Sequence, residues 1–229
     1  MTSDPTPIRD AATVILLRQT SDGPAILMGQ RGAKAAFMPN KFVFPGGAVD
    51  ADDADVSLIN PVAEPCLTRL REDAARDLAH AMAAAAIREV CEETGQIIGA
   101  PGDWPDAPPD WAGFAATGHR PDAQHLHFFF RAITPPGRPR RFDARFFLMD
   151  AARLCSDPDD FSSASDELSH LQWMPIAQAR NFNLPFITEV VLAEVANLTK
   201  VGPPASVPFF KNDDEDSLFL RLYGTTPTE

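Results

Sequence analysis

The most constraining feature of the sequence is an alanine-rich run that starts near Ala74 and ends at Gly95. At about 3.6 residues per turn, Glu89, Glu92 and Glu93 occupy positions i, i+3 and i+4 and share one face of a helix. The opposite face carries apolar or small side chains, namely Ala83, Ile87, Val90 and Cys91. The pattern predicts a helix that packs through this apolar stripe and ends at Gly95, which supplies a left-handed conformation.

The three glutamates on this face repel one another, at a cost of a few tenths of a kcal/mol for each i,i+4 pair of like charges. Arg88 lies four residues before Glu92, but one cation does not balance three anions. A divalent cation such as Mg²⁺ could balance them, because it prefers oxygen ligands and completes its shell with water and substrate phosphates. A charge run on a helix is also commonly a solvated face, so both interpretations stand at this point.

A second feature lies upstream, in residues 44–50, which read Phe-Pro-Gly-Gly-Ala-Val-Asp. An extended run ends there abruptly, and two glycines after a proline leave the backbone free to approach a ligand or a metal closely. This pairing of a glycine turn with an acidic helix favours the metal-site interpretation.

Together these two features resemble the Nudix hydrolase family, whose box reads Gly-x5-Glu-x7-Arg-Glu-U-x-Glu-Glu-x-Gly-U, where U is a bulky aliphatic residue. Six residues match the second half of the box: Arg88, Glu89, Val90, Glu92, Glu93 and Gly95. The last position departs from the pattern, since it holds Gln96. In the first half, Gly47 fits the leading glycine, Asp53 stands where the family has Glu, and the gap to Arg88 is much longer than seven residues.

We therefore expect an insertion inside the box, at about residues 54–73. Interrupted boxes resemble the branch that contains the peroxisomal coenzyme A diphosphatases, and residues 37–47 and 140–147 are similar to that branch. The insertion would lie beside the active site, where it could form a substrate lid or a dimer contact.

The resemblance implies an α/β fold, a Nudix-like α/β/α sandwich with a mixed β-sheet. It implies one domain over residues 1–229, with a core at about 11–200 and a tail at about 201–229. It also implies Mg²⁺ or Mn²⁺ held by Glu89, Glu92 and Glu93 with the Gly47 carbonyl, and hydrolysis of a diphosphate linked to another group. The catalytic set it implies is Arg88, which orients the glutamates, and Glu92, Glu93, Glu89 and Glu167, with the general base left open among Glu93, Glu92 and Glu167.

Substrate contacts are expected from Arg31 and Phe37 and from a basic cluster around residues 138–145. Arginine binds phosphate through a planar fork of donors, so Arg140, Arg141 and Arg145 are candidates, although a solvated hairpin end would carry the same residues. The resemblance favours coenzyme A or acyl-CoA as substrate, with NDP-sugars, dinucleotides and noncanonical nucleotides as alternatives. A catalytically silent binding module and an unrelated α/β protein with an acidic surface helix are the other hypotheses.

Local patterns predict a strand at residues 11–17, a turn at Asp22-Gly23 and a returning strand at 25–28, followed later by strands at 124–133 and 146–149. The acidic run at residues 50–55 is interpreted mainly as a solvated loop.

Composition limits the partners of the chain. The formal net charge of −12 over 229 residues argues against nonspecific binding to nucleic acid or to anionic membranes. Three cysteines without metal-ligand spacing fit a reducing cytoplasm, and no apolar run approaches the length of a membrane span. The expected partner is a small-molecule diphosphate, and a homodimer is left open.

Overall fold

The computed structural model describes residues 6–74, 78–198, 201–212 and 217–224. The helices are α1 Cys66–Arg71, α2 Ala79–Thr94, α3 Ala112–Ala115 and α4 Phe186–Ala196. The strands are β1 Ile8–Thr20, β2 Gly23–Arg31, β3 Phe42–Val43, β4 Gly46–Ala48, β5 Gly99–Pro101, β6 His119–Pro121, β7 His127–Ile133, β8 Arg141–Asp150, β9 Leu168–Pro175, β10 Val207–Asn212 and β11 Ser217–Leu222. Within the described ranges, none of the helices is long and apolar enough to cross a membrane.

The hairpin of β1 and β2 confirms the strand predictions for the start of the chain. The two strands pair antiparallel from Leu17 opposite Ile26 to Thr20 opposite Gly23. Gly23 adopts a φ of +106°, which a side chain would disfavour, so the turn depends on glycine. Val14 and Ile15 point to opposite faces of the sheet and are both fully buried, which explains the continuous apolar run in this strand.

The described strands form a mixed nine-stranded sheet in the order β11-β10-β7-β8-β1-β2-β3, with β4 paired to β1 and β9 to β2. Strands β1 and β8 run parallel, from Ile8 opposite Arg141 to Leu17 opposite Asp150. Strands β5 and β6 form a separate antiparallel pair. The mixed sheet matches the fold class expected from the sequence.

Each face of the sheet has its own hydrophobic core. Val14 and Leu16 pack on one face with the alanines of α2, and Ile15 and Leu17 pack on the other with Val191 of α4. Because the alanine side chains are short, α2 can lie close to the strands beneath it. The arrangement of helices on both faces confirms the predicted α/β/α sandwich.

Residues 44–55 are more regular than the sequence indicated. The two glycines lie in the short strand β4, where Gly46 pairs with Thr13 and Gly47 with Ala12. Ala51–Asp55 then forms a 3-10 helix, and Asp53 in it is only 2% exposed. The prediction of a solvated acidic loop was therefore wrong for Asp53, because its carboxylate is buried against a cation from α2.

Residues 54–74, which follow Asp53, pack onto the body of the protein. Val56, Val62 and Leu70 belong to the core on the α2 face. Arg69 of α1 donates hydrogen bonds to the carbonyls of Pro204, at 2.6 Å, and of Ala205, at 2.9 Å. These contacts give the segment a structural role in joining the sheet to the chain near β10.

Candidate active site

The C-terminal half of α2 lies directly over β4. The helix ends where predicted: Gly95 has a φ of +74°, and its N–H donates to the carbonyl of Cys91 at 2.8 Å. The glutamates Glu89 and Glu93 and the cation Arg88 face the strand. Of the two interpretations of this charge run, a solvated face does not hold for these residues, because Glu93 is 2% and Arg88 8% exposed.

The two glycines of β4 hold two glutamate side chains. The Gly46 N–H donates to Glu93 Oε2 at 2.7 Å. Gly47 lies against the carboxylate of Glu89: a Cβ placed on Gly47 would be 2.6 Å from Glu89 Oε2 and closer still to Oε1. A side chain at position 47 would therefore displace the Glu89 carboxylate above it. The glycine turn and the acidic helix, which are far apart in sequence, meet at this point.

Arg88 organises the acidic side chains around it. Its Nε and Nη2 donate to the two carboxylate oxygens of Asp53, both at 3.0 Å. Its Nη1 donates to Glu89 Oε1 at 2.9 Å and to Glu92 Oε2 at 3.3 Å. The fork of Arg88 therefore binds carboxylates within the site rather than facing solvent.

Asp50 is a member of the site that the sequence did not single out. Its Oδ2 lies 3.6 Å from Arg88 Nη2. The pairing of Asp53 with Arg88 had one signal in the sequence, namely that Asp53 occupies the position of the glutamate in the first half of the box.

The glutamates hold their protons more tightly than free carboxyls do. Burial raises the pKa of Glu93 to about 8 and that of Glu89 to about 7, and it also raises the pKa of Glu92. The charge of Glu167 contributes to the rise in the pKa of all three, although Glu167 is far along the chain. The structure thus brings Glu167 into the same electrostatic cluster.

Arg31, at the end of β2, faces this cluster. Its positive charge lowers the pKa of Glu93, against the larger effect of burial. Its buried Nε has no hydrogen-bond partner in the described residues. A buried donor without a partner is costly, so Arg31 is an incompletely bonded cation beside the glutamates.

The other predicted substrate arginines are placed differently. Arg145 is 2% exposed, and its Nη1 donates to Asp10 Oδ1 at 2.7 Å and lies 3.2 Å from Asp143 Oδ2. Arg141 is also buried and donates to the carbonyls of Thr134 and Asn212. Because both guanidiniums are bound within the fold, assigning them to a surface phosphate site was wrong.

Of the two remaining predicted substrate residues, Arg140 lies at the surface and Phe37 lies on the face of the sheet opposite the acidic cluster. Arg140 is exposed in the turn before β8. Phe37 packs edge-on against Phe142, with ring centroids 5.3 Å apart. Phe142 lies two residues before Ala144, which packs with the core on the α4 face, so Phe142 points to the face opposite the acidic cluster.

The donor set around α2 suits a hard divalent cation. Among the described residues, however, no three His, Cys, Asp or Glu side chains converge closely enough to hold a metal ion as they stand. The reason is visible in the contacts: Arg88 binds Glu89 and Glu92, and the Gly46 N–H binds Glu93. The carboxylate oxygens of Glu89, Glu92 and Glu93, and the close approach of Gly47 to Glu89, fit a divalent cation that would compete with Arg88 and the Gly46 N–H for these oxygens.

A cavity of about 500 Å³ lies beside the C-terminal half of α2. Arg88, Cys91 and Glu92 form its wall on the helix. The opposite walls come from residues around Trp111 and Phe114 and from the segment 155–163. The acidic helix therefore borders a space that could receive part of a ligand.

No family model matches the sequence. The chain is similar to nudix hydrolase 7 of Caenorhabditis elegans, with 30% identity over 179 residues that cover 72% of this chain. It covers 51% of that relative, so the chain spans about half the length of the curated protein it matches. A crystal structure of a NUDIX hydrolase from Alicyclobacillus acidocaldarius is 26% identical, with a TM-score of 0.62, over 87% of this chain and 100% of that one.

The mixed sheet between helices, with an acidic helix over a glycine strand, defines an α/β protein of the Nudix fold. Both the curated relative and the solved structure carry the name of a nudix hydrolase, and the chain is similar to each of them.

Proposed function

We propose that the chain is a metal-dependent hydrolase that cleaves the diphosphate bond of a small-molecule substrate. The observation that carries the proposal is the contact of Gly47 with the Glu89 carboxylate, because it joins the two halves of the box at one point. The similarity to a curated nudix hydrolase and to a solved NUDIX hydrolase structure supports the same proposal. A purely solvated acidic face would not need a glycine under a glutamate.

Glu89, Glu92 and Glu93, with the Gly47 carbonyl, are the residues proposed to hold Mg²⁺ or Mn²⁺. When bound, the ion would supply charge neutralisation at the diphosphate and activation of water. The carboxylates must be deprotonated to act as ligands, so the raised pKa values of Glu89 and Glu93 make ion binding compete with protons.

The protein's own groups have separate tasks in this proposal. Arg88 fixes the orientation of Glu89 and Glu92 through its pairing with Asp53. Arg31 offers a cation to the substrate diphosphate, because its Nε is buried without a partner beside Glu93. Proton removal falls to one of Glu93, Glu92 and Glu167. Burial raises the pKa of Glu93 to about 8 and also raises that of Glu92, which suits a general base.

Coenzyme A or an acyl-CoA is the substrate we propose from the resemblance, together with a box interrupted at about residues 54–73. Of the arginines first considered for its extra phosphate, Arg140 stays exposed, whereas Arg141 and Arg145 are bound inside the fold. NDP-sugars, dinucleotides and noncanonical nucleotides therefore belong in the same substrate panel. Cytoplasmic location and one domain for the whole chain remain proposals from the composition.

Phosphate and nucleotide release from this panel, measured with Mg²⁺ or Mn²⁺, tests the function. We expect one substrate to be turned over by the wild type, and the Glu92→Gln variant to lose at least about 100-fold in kcat/KM. Glu189→Gln in α4, at an exposed position on the other face, is the matched control and should keep full activity. Ligand binding without turnover would indicate a silent binding module, and activity that survives Glu92→Gln would refute the metal site.

A further inference from the structure

The position where the box departs from its pattern is occupied by a buried polar side chain. Gln96 follows the Gly95 cap of α2, in place of the bulky aliphatic residue, and it is fully buried. Its Nε2 donates to the carbonyls of Asp157, at 3.2 Å, and Asp160, at 2.8 Å. Its Oε1 accepts from the hydroxyl of Ser156 at 2.8 Å. An aliphatic residue would make none of these bonds.

These bonds attach a long irregular segment to the end of α2. Residues 154–167 lie between a 3-10 helix that ends at Arg153 and β9, and loops of this length are mobile unless they are tied down. Gly95 lies close to the same segment, since a Cβ there would be 3.2 Å from Ser163 Cβ. The N–H of Ser165 donates to the carbonyl of Glu92 at 2.8 Å. Gln96 thus supplies three of the bonds that hold the segment against the helix.

The same segment ends at Glu167. Glu167 is exposed and lies two residues after Ser165, whose N–H donates to the carbonyl of Glu92 at 2.8 Å, so the end of the loop lies beside the glutamates of α2. An exposed side chain at the end of a loop keeps such a position only if the loop is fixed. The segment also forms one wall of the cavity beside Glu92, through residues such as Ser156 and Asp160.

We propose that Gln96 is a positioning residue, which fixes residues 155–167 against the end of α2 so that Glu167 faces Glu89, Glu92 and Glu93. The inference rests on the proposed hydrolase function. At the position where the box has an aliphatic residue, the Gln96 amide replaces an apolar contact by hydrogen bonds to the loop that carries a fourth carboxylate, Glu167. Gln96 itself touches neither the substrate nor the ion.

A double-mutant cycle tests this role. Gln96→Met keeps the length and approximate volume of the side chain and removes the three bonds, and Glu167→Gln removes the charge at the end of the loop. We expect each variant to lower kcat/KM about 10-fold, and the double variant to lose little more than either, because both remove the same function. Gln124→Met, which removes a glutamine bonded to Asp122 elsewhere in the chain, is the matched control and should leave kcat/KM unchanged.

Two readouts do not depend on turnover. The affinity for Mn²⁺, measured by titration, should fall about 3- to 10-fold in Gln96→Met and in Glu167→Gln, since both take a negative charge away from the ion. Hydrogen exchange should become faster in residues 155–167 of Gln96→Met and stay unchanged in β1 and β8. If Gln96→Met does not fold, Ser156→Ala removes the partner hydroxyl and keeps Gln96 in place.

Each result decides the inference. Losses that multiply to about 100-fold in the double variant, unchanged exchange in residues 155–167, or a Glu167→Gln variant with normal rate and Mn²⁺ affinity would each overturn it. A hydrolase that loses activity with Glu92→Gln but shows no coupling between Gln96 and Glu167 would leave the proposed function standing and remove only this inference. Activity that survives Glu92→Gln would remove the function itself.

Discussion

Replacing Gly47 by alanine tests the central contact of the site. Gly47 does not use a positive φ, so an alanine there meets no backbone strain. Its Cβ would be 2.6 Å from Glu89 Oε2, while an ordinary contact begins at 3.4 Å, so that this oxygen must move by 3.4 − 2.6 = 0.8 Å. Oε1 must move further. The atoms that give way belong to the end of a flexible side chain, so the fold is expected to absorb the change.

The displacement of Glu89 should appear in activity rather than in stability. A ligand or catalytic group misplaced by about 1 Å can cost about 100-fold in rate, so we expect kcat/KM to fall by 10- to 100-fold, or about 1.4 to 2.7 kcal/mol in the activation free energy. The free energy of unfolding should change by less than about 1 kcal/mol, since alanine is compatible with the backbone there.

The assay combines steady-state kinetics over a range of Mg²⁺ concentrations with chemical denaturation in EDTA. Gly202→Ala is the matched control, because a Cβ at Gly202 meets nothing within 4 Å and Gly202 has no positive φ. We expect the control to match the wild type in both measurements. Full activity in Gly47→Ala at every Mg²⁺ concentration would refute the view that Glu89 must lie against the glycine strand.

Four other variants separate the roles of charged side chains. Burial holds the pKa of Glu93 at about 8, above its unfolded value. Without divalent cations, the free energy of unfolding should therefore fall by a few kcal/mol as pH rises from 4.5 to 8. In denaturant titrations, Glu93→Gln should flatten this fall. Arg88→Lys should destabilise the protein by about 2 to 3 kcal/mol in the same titrations, because an ammonium cannot reproduce the two bonds to Asp53. Arg145→Met should lower the free energy of unfolding by about 3 to 5 kcal/mol but change kcat/KM less than about 3-fold, because Arg145 is paired inside the fold. Arg31→Gln should raise KM about 10-fold with little loss of stability. A loss of activity in Arg145→Met without a loss of stability would return Arg145 to the substrate site.

Short-range signals in the sequence predicted the local structure well. The left-handed cap at Gly95, the turn at Gly23 and the apolar run of β1 each depend on residues within a few positions of one another. The three glutamates were predicted on one side of α2 for the same reason, since helix periodicity is a local property.

The predictions that failed concern partners far apart in the chain. Arg145 looked like part of an exposed basic cluster because its neighbours in sequence are arginines, but its partner Asp10 is 135 residues away, on the strand that runs parallel to β8. The sequence could not show that β8 lies between β7 and β1, where a charged side chain must be paired. Asp53 was interpreted as solvated for a similar reason, because Arg88 lies 35 residues away.

The pairing of Asp53 with Arg88 depends on how the chain between these two residues is packed. If the segment after Asp53 made no contacts with the core, the position of Asp53 would not be fixed, and Arg88 would be paired with a mobile carboxylate. Instead, Val56, Val62 and Leu70 are buried on the α2 face, so the chain after Asp53 is fixed by its own apolar contacts. Arg88 can therefore bind Asp53 through two hydrogen bonds and still direct Nη1 at Glu89 and Glu92. The acidic site thus depends on core packing in the segment that separates its parts, and substitutions in that segment should disturb the glutamates without touching them.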